Sequence, residues 1–318
     1  MDADPDVDEM PHKGGGAGGA IPGLARPAFR QVSSGGARIP VLISAPHGGR
    51  AYPKQVSEAM RGGGATRLRL EDRYIDVLAR QIAQETGADL LYAEAPRAIL
   101  DLNRASDDVD WSMVAGVEKG QAKRQSAANQ RARSGLGLVP RRLPGLGEIW
   151  KTPLGQAELE ARIDAIHRPY HEALGRSLER IRDVWGAALL VDLHSMPPLR
   201  RRFPGEDPAE FVIGDRFGES CDPVLAAFAL SYFSKHGRRV AHNRPYSGGY
   251  ILDRHAKPRR GVYAIQIEVC RSLYLDANFD QPTARMPSIA RLLAGLVRGF
   301  ARQTVDLAAL KDMPNAAE

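Results

Sequence analysis

LLVDLHSMPP, residues 189–198, is the stretch on which the fold of this chain turns. Leu189, Leu190, Val191 and Leu193 form a short apolar run with β-branched content and no helical spacing, so the segment reads as a buried strand. It ends on Asp192 and His194, two residues apart and therefore on one face of the pleat. The ends of sheet strands are where α/β enzymes keep their chemistry. Two other stretches have the same build. SAPHGGRAYP (44–53) follows the strand-like RIPVLISAP (38–46) and presents His47, and YAIQIEVCRSLY (263–274) presents Glu268.

Outward from these three, strands alternate with helices. LEDRYIDVLARQIAQETG (70–87) reads as a helix and ADLLYAEAP (88–96) as a strand. A long helix is expected over Gln156–Trp185, with Ile163, Ile166, Tyr170, Leu174, Leu178 and Ile181 at three- and four-residue spacing and a bend at Pro169. EFVIGD (210–215), RRVAH (238–242) and VYAIQIEV (262–269) add strands, with helices near 223–236 and 288–310. This alternation predicts an α/β fold, a mainly parallel mixed sheet between two layers of helices. The Gly-rich residues 1–25 are expected to be disordered, and residues 26–312 to form one catalytic domain. Residues 105–155, rich in Gly, Pro and Arg, break the rhythm and read as an insertion over the site.

Composition bounds the function. Of the 318 residues 43% are hydrophobic, yet no apolar stretch approaches the roughly eighteen residues of a membrane span, so no membrane is expected. MDADPDVDEM is acidic and no apolar run follows it, so no signal peptide is expected. Two cysteines are too few for a disulfide framework and point to a reducing, cytoplasmic setting. The net charge of +6 gathers at residues 119–142 and at Arg200–Arg202. Without aromatic interleaving those patches do not read as a nucleic-acid surface; they read first as solvated helix faces and loops, with a mouth that attracts a small anionic substrate as the alternative. A non-catalytic, nucleic-acid-holding protein is the contrasting reading, and it leaves the His and Glu residues at strand ends without a purpose.

Catalytic zinc takes three protein ligands from His, Asp or Glu and keeps one position open. His47 and His194 are the first candidates. A carboxylate from LEDRYID can complete the set, and Glu71, Asp72 and Asp76 all qualify as well as being ordinary acids of a helix start. Asp192 can orient the His194 ring through its second nitrogen. Glu268, a carboxylate inside an apolar strand, is costly without a function and is the candidate general base, with an ion pair to Arg271 as the plainer alternative. Arg104 in DLNR (101–104) offers a fork for a carboxylate. HNRPYSGGYILDRH (242–255) adds Tyr250, Arg254 and His255 beside a Gly pair as substrate contacts. His167 and His171 in HRPYH mimic a helical metal pair, but Pro169 between them and the lack of a nearby acid favour packing.

PHGGRAYP, EDRYIDVL, PRAILDLNR, DLHSMP, IGDRFGESCDP, GGYILDRH and AIQIEVCRSLY occur in this order between Val41 and Tyr274. Together they resemble the N-formylglutamate amidohydrolase family. The resemblance implies a zinc carboxypeptidase-like fold and hydrolysis of N-formyl-glutamate to formate and glutamate in histidine breakdown. It implies a single zinc held by His47, Asp72 and His194. Asp72 is preferred over Glu71 because the second acid is the steadier feature of the family's helix start. It makes Glu268 the catalytic glutamate, gives Asn103 and Arg104 the substrate carboxylate, and gives Arg254 and His255 contacts to substrate or transition state. Gly48 where the family often has Ser, ASDDVDW after DLNR, and the Arg-rich insertion depart from that pattern. A carboxypeptidase or deacylase on another acidic substrate is the neighbouring alternative.

Overall fold

Alternate residues of a strand face opposite sides of a sheet, and the central strands of this chain sort their apolar side chains accordingly. In Ala188–Met196, Leu189, Val191 and Leu193 enter one hydrophobic core while Ala188 and Leu190 enter another. Val262–Cys270 divides likewise, with Tyr263, Ile265, Ile267 and Val269 in the first core and Val262 and Ala264 in the second. The structure, a computed structural model, describes residues 15–33, 35–116, 130–201, 205 and 207–312.

Apart from two small two-stranded sheets, the strands among the described residues form an eight-stranded sheet. Along the chain they are β1 (Gly15–Gly18), β2 (Phe29–Val32), β3 (Val41–Ala45), β4 (Asp89–Ala93), β5 (Ala188–Met196), β6 (Phe211–Gly214), β7 (Val240–His242) and β8 (Val262–Cys270). Their order across the sheet is β1-β2-β4-β3-β5-β8-β6-β7. The central run β4-β3-β5-β8 is parallel, β6 is antiparallel to β8, and β2 is antiparallel to β4. The first core is covered by helices α1 (Ile75–Thr86), α3 (Pro223–Lys235) and α5 (Met286–Asp312). The second is covered by α2 (Arg168–Trp185), with the short α4 (Tyr250–His255) beside it. The expected α/β mixed sheet between helical layers is therefore the architecture observed. No helix among the described residues is long and apolar enough to cross a membrane.

On the face of the second core the apolar residues stop halfway along the strands. Leu190 gives way to Asp192 and His194, Ala264 to Gln266 and Glu268, and Leu42 to Ser44. The register sets Asp192 opposite both Ser44 and Gln266, and His194 opposite Glu268. Parallel pairing thus collects the polar ends of three strands in one place.

Several boundaries differ from the expectation. The helix expected over 70–87 begins only at Ile75, and a separate helix, Gly63–Leu70, ends where it was to start, because Glu71 is extended and Tyr74 takes a positive φ of 57°. Glu71 and Asp72 lie in the connection and not in a first helical turn. The bend near Pro169 takes the form of a π turn at Ile163–His167 that joins Gln156–Arg162 to α2. Proline has no N–H for the carbonyl four residues back, and that carbonyl, of Ala165, accepts from Ala20 N at 2.9 Å. Of the Gly-rich residues expected to be disordered, 1–14 lie outside the described residues. From Gly15 onward the segment pairs with β2 and buries Ile21, so it belongs to the fold. Residues 117–129 of the insertion, and with them much of the first basic patch, also lie outside the described residues. The remainder of the insertion buries Leu138, Val139 and Ile149, and Leu138 O accepts from Asp101 N at 2.7 Å. It braces the DLNR segment instead of only covering it.

Candidate active site

His47 stands just beyond β3, where the chain passes close to two other segments. A side-chain carbon on Gly48 would come within 2.9 Å of Asp76 Cβ, and one on Gly49 within 2.2 Å of Ala95 O. Neither glycine has a positive φ, so close approach and not a sharp turn demands them. That approach lets Asp72 N donate to His47 O at 3.0 Å, fixing the acidic connection against the histidine.

The three acids then go separate ways. Glu71 pairs with Arg73 at 3.0 Å and Asp76 with Arg50 at 2.8 Å. Asp72 alone faces the histidines, its Oδ2 lying 3.1 Å from His194 Nδ1 and 3.5 Å from His47 Nδ1. Its other oxygen, Oδ1, accepts from Arg271 Nη2 at 3.1 Å. Arg271 also donates to Glu71 O, Leu68 O and Ser195 Oγ, so it ties the acidic connection to β5 and is not the partner of Glu268.

Each histidine has its far nitrogen on a carboxylate. His47 Nε2 meets Asp101 Oδ1 at 2.7 Å, and His194 Nε2 meets Asp192 Oδ2 at 2.8 Å. An ionised carboxylate only accepts, so each Nε2 carries a hydrogen, and each Nδ1 faces Asp72 with a lone pair or, on a charged ring, with a second hydrogen. The two Nδ1 atoms are 3.1 Å apart, and their ligand atoms with that of Asp72 all lie within 4.8 Å of one another. All three groups are buried. Three buried groups that turn lone pairs toward one another repel unless positive charge, a proton or a metal ion, lies between them. The same demand appears in their acidities. Burial alone would lower His194, but the Asp192 carboxylate and the bond to Asp72 hold it well above the ordinary histidine range. Burial alone would raise Asp72, but His194 and His47 pull its carboxyl well below the usual range. Two nitrogens and one carboxylate oxygen are a donor set that fits zinc.

The carboxylates behind the rings are themselves held. Asp192 Oδ1 accepts from Ser44 Oγ at 3.0 Å, and Ser44 Oγ lies 3.0 Å from the buried Tyr170 hydroxyl. Asp101 accepts from Asn103 N at 2.9 Å and from Arg97 at 2.8 Å. Burial would raise the Asp101 carboxyl, and Arg97 and His47 together press it well below its ordinary value. Sequence reasoning assigned no role to Asp101 or Arg97. The four-residue spacing of the pair in PRAILD was the available signal, but a surface ion pair has the same spacing.

Glu268 lies on β8 opposite His194 and accepts from Gln266 Nε2 at 2.9 Å. Burial raises its carboxyl to about 7, against the lowering influence of His194. A carboxylate balanced near neutrality beside such a cluster can both take up and return a proton. Asn103 is buried next to it all, its amide 3.4 Å from Asp192 Oδ2 and its Oδ1 accepting from Ile251 N at 2.9 Å.

The other expected residues are placed less directly. Arg104 is mostly buried and donates Nε to Leu136 O and Nη1 to Asn103 O. Arg254 is exposed and donates Nη1 to the Tyr250 hydroxyl at 2.7 Å. His255 is buried and turns Nε2 to His171 Nδ1 at 2.9 Å, and no hydrogen bond among the described residues joins it to His47, Asp72 or His194. His167 and His171 are not part of the metal-capable group.

The chain has counterparts among known proteins. The family model for N-formylglutamate amidohydrolase matches residues 39–275. The chain is 32% identical over 247 residues to an N-formylglutamate deformylase of Pseudomonas putida, covering 75% of this chain and 83% of that protein. It is 29% identical over 267 residues to an N-formylglutamate deformylase of Pseudomonas aeruginosa, covering 82% and 91%. A crystal structure of N-formylglutamate amidohydrolase from Ralstonia eutropha JMP134 matches with a TM-score of 0.77 at 29% identity, over 87% of this chain and 98% of that one. A gene product of Agrobacterium tumefaciens shares the fold at 18% identity, with a TM-score of 0.61 over 88% and 94%.

Proposed function

The chain belongs to the N-formylglutamate amidohydrolase family, and on that premise we propose that it hydrolyses N-formyl-L-glutamate, or a close N-acyl analogue, to formate and L-glutamate. The observation that carries this reading is the convergence of His47 Nδ1, His194 Nδ1 and Asp72 Oδ2 in a buried cluster next to Glu268. His47, Asp72 and His194 would hold one zinc ion per chain. When bound there, zinc would supply Lewis-acid polarisation of the formyl carbonyl and would make water a better acid.

The chain's own groups do the rest. Glu268, with its carboxyl near 7, takes a proton from the attacking water and returns it to the departing amine nitrogen of glutamate. Asp101 and Asp192 keep the histidine rings in the tautomer that points Nδ1 inward. Asn103 and Arg104 receive a substrate carboxylate, with Tyr250 and Arg254 at the outer contact and His255 behind them. An anionic substrate suits Arg97, beside Asp101, and Arg104, next to Asn103. The reading includes work in the cytoplasm on a metabolite of histidine breakdown.

Zinc analysis combined with a formate-release assay tests it. Wild-type protein should contain zinc and prefer N-formyl-L-glutamate to N-acetyl-L-glutamate and to peptides. His194→Ala should lose both metal and activity, whereas Glu268→Gln should lose only activity. Protein isolated without metal, whose activity is indifferent to both substitutions, would end the proposal.

A further inference from the structure

HRPYH, residues 167–171, is left over by the site as described, yet both of its histidines are buried. Residues four apart on a helix share a face. His167 Nε2 lies 2.9 Å from Arg104 O, and His171 Nε2 lies 3.0 Å from Leu102 O. A carbonyl oxygen only accepts, so both Nε2 atoms carry hydrogen. The two carbonyls flank Asn103 in a turn that Arg104 N closes onto Asp101 O at 3.2 Å.

The tautomer has a consequence. With hydrogen on Nε2, His171 keeps a bare Nδ1, and His255 must donate to it from Nε2 across the 2.9 Å between them. His255 ends α4, and the first turn of that helix returns to the same loop, because Ile251 N donates to Asn103 Oδ1. A closed circuit runs from Leu102 through His171, His255 and α4 back to Asn103. Tyr250 stacks on His167 at 5.8 Å and meets the His171 ring edge-on at 5.2 Å. Gly249 lies under Asn103, where a side-chain carbon would come within 2.6 Å of Asn103 Oδ1. Burial lowers all three histidines, His255 to about 3, so the rings stay neutral and the pattern of donors holds at neutral pH.

We propose that His167 and His171 are positioning residues: they clamp the carbonyls on either side of Asn103 and so hold Asn103 and Arg104 in the pose that receives the substrate carboxylate. The inference rests on the proposed function only for the identity of the substrate. The clamp itself has a readout independent of activity, since the Ile251 amide is protected by Asn103 and its hydrogen exchange reports the pose of that side chain.

The test compares His167→Phe and His171→Phe, which keep bulk and lose the donor, with His167→Gln and His171→Gln, whose amide nitrogen can stand in for Nε2. Steady-state kinetics on N-formyl-L-glutamate, zinc content and exchange at the peptide containing Ile251 are measured for each. The Phe variants should raise KM about tenfold with kcat changed by less than about threefold, at wild-type zinc content and with faster exchange at Ile251. The Gln variants should recover most of both losses. Phe variants with wild-type KM and unchanged exchange would overturn the clamp, as would a fall in kcat at constant KM. If wild-type protein does not release formate, the proposed function fails, and exchange at Ile251 alone decides the clamp. Should the Phe variants not fold, His167→Asn and His171→Asn, polar but too short to reach the carbonyls, take their place with the same expected outcomes.

Discussion

Two pairs of buried histidines lie on the same side of the sheet and come to opposite ends. His47 and His194 turn Nε2 to carboxylates, and His167 and His171 turn Nε2 to backbone carbonyls. All four lie at 3% exposure or less, so burial does not separate them. The charge of the partner does. Behind His194 an ionised acid offsets the desolvation that would strip its proton, and the ring is held well above its ordinary range. Behind His171 a neutral carbonyl cannot, and the ring is pushed far below. The first pair becomes a socket that wants a cation, and the second becomes a neutral hydrogen-bonding brace.

That contrast can be broken from the metal side with the largest effect. His194→Ala should reduce bound zinc to background and cut formate release by about a thousandfold or more, measured by elemental analysis and initial rates. Glu268→Gln keeps the socket intact, so zinc should remain while kcat falls about 10² to 10⁴-fold. Asp192→Asn replaces the charged partner of His194 with a neutral one, making it resemble the environment of His171. Zinc affinity should drop about 10 to 100-fold in competition with a chelator.

The pH dependence sharpens the comparison further. With the Glu268 carboxyl at about 7, kcat/KM should decline on the acid side of neutrality as the base takes up its proton, and the residual rate of Glu268→Gln should lack that limb. The smallest effect concerns stability. His171 and His255 are held below the ordinary value of 6.5, so the unfolded chain binds protons that the folded chain refuses. Their contribution is harmless above pH 6.5, and stability is lost as pH falls from there toward the folded value of His255, about 3. In thermal denaturation His171→Phe should therefore lose less Tm between pH 8 and pH 5 than wild type does.

Much of this was readable along the chain. LLVDLHS, VYAIQIEV and RIPVLISAP announce buried strands through apolar runs alone, and their period-two alternation places Asp192 with His194 and Gln266 with Glu268. The choice among Glu71, Asp72 and Asp76 was not readable from the residues, because an acid at a helix start and an acid in a connection look alike until the chain is seen to break at Tyr74. Asp101 and Arg97 escaped for the same kind of reason. Their roles depend on His47, 54 residues from Asp101 in sequence, arriving at hydrogen-bond distance. HRPYH was legible as a helical pair but not as a clamp, since the carbonyls it grips belong to a turn more than sixty residues away.

The sequence by itself determined the layered α/β architecture, the strands that end in His194 and Glu268, and the set of residue types able to hold a metal, because these follow from local periodicity and side-chain chemistry. Only the tertiary structure decided which acid joins the histidines, which nitrogen each ring turns inward, and which buried histidines stay neutral. Those outcomes depend on the partner each ring meets across long stretches of chain, and a partner's charge acts through space over a few ångströms, not through sequence.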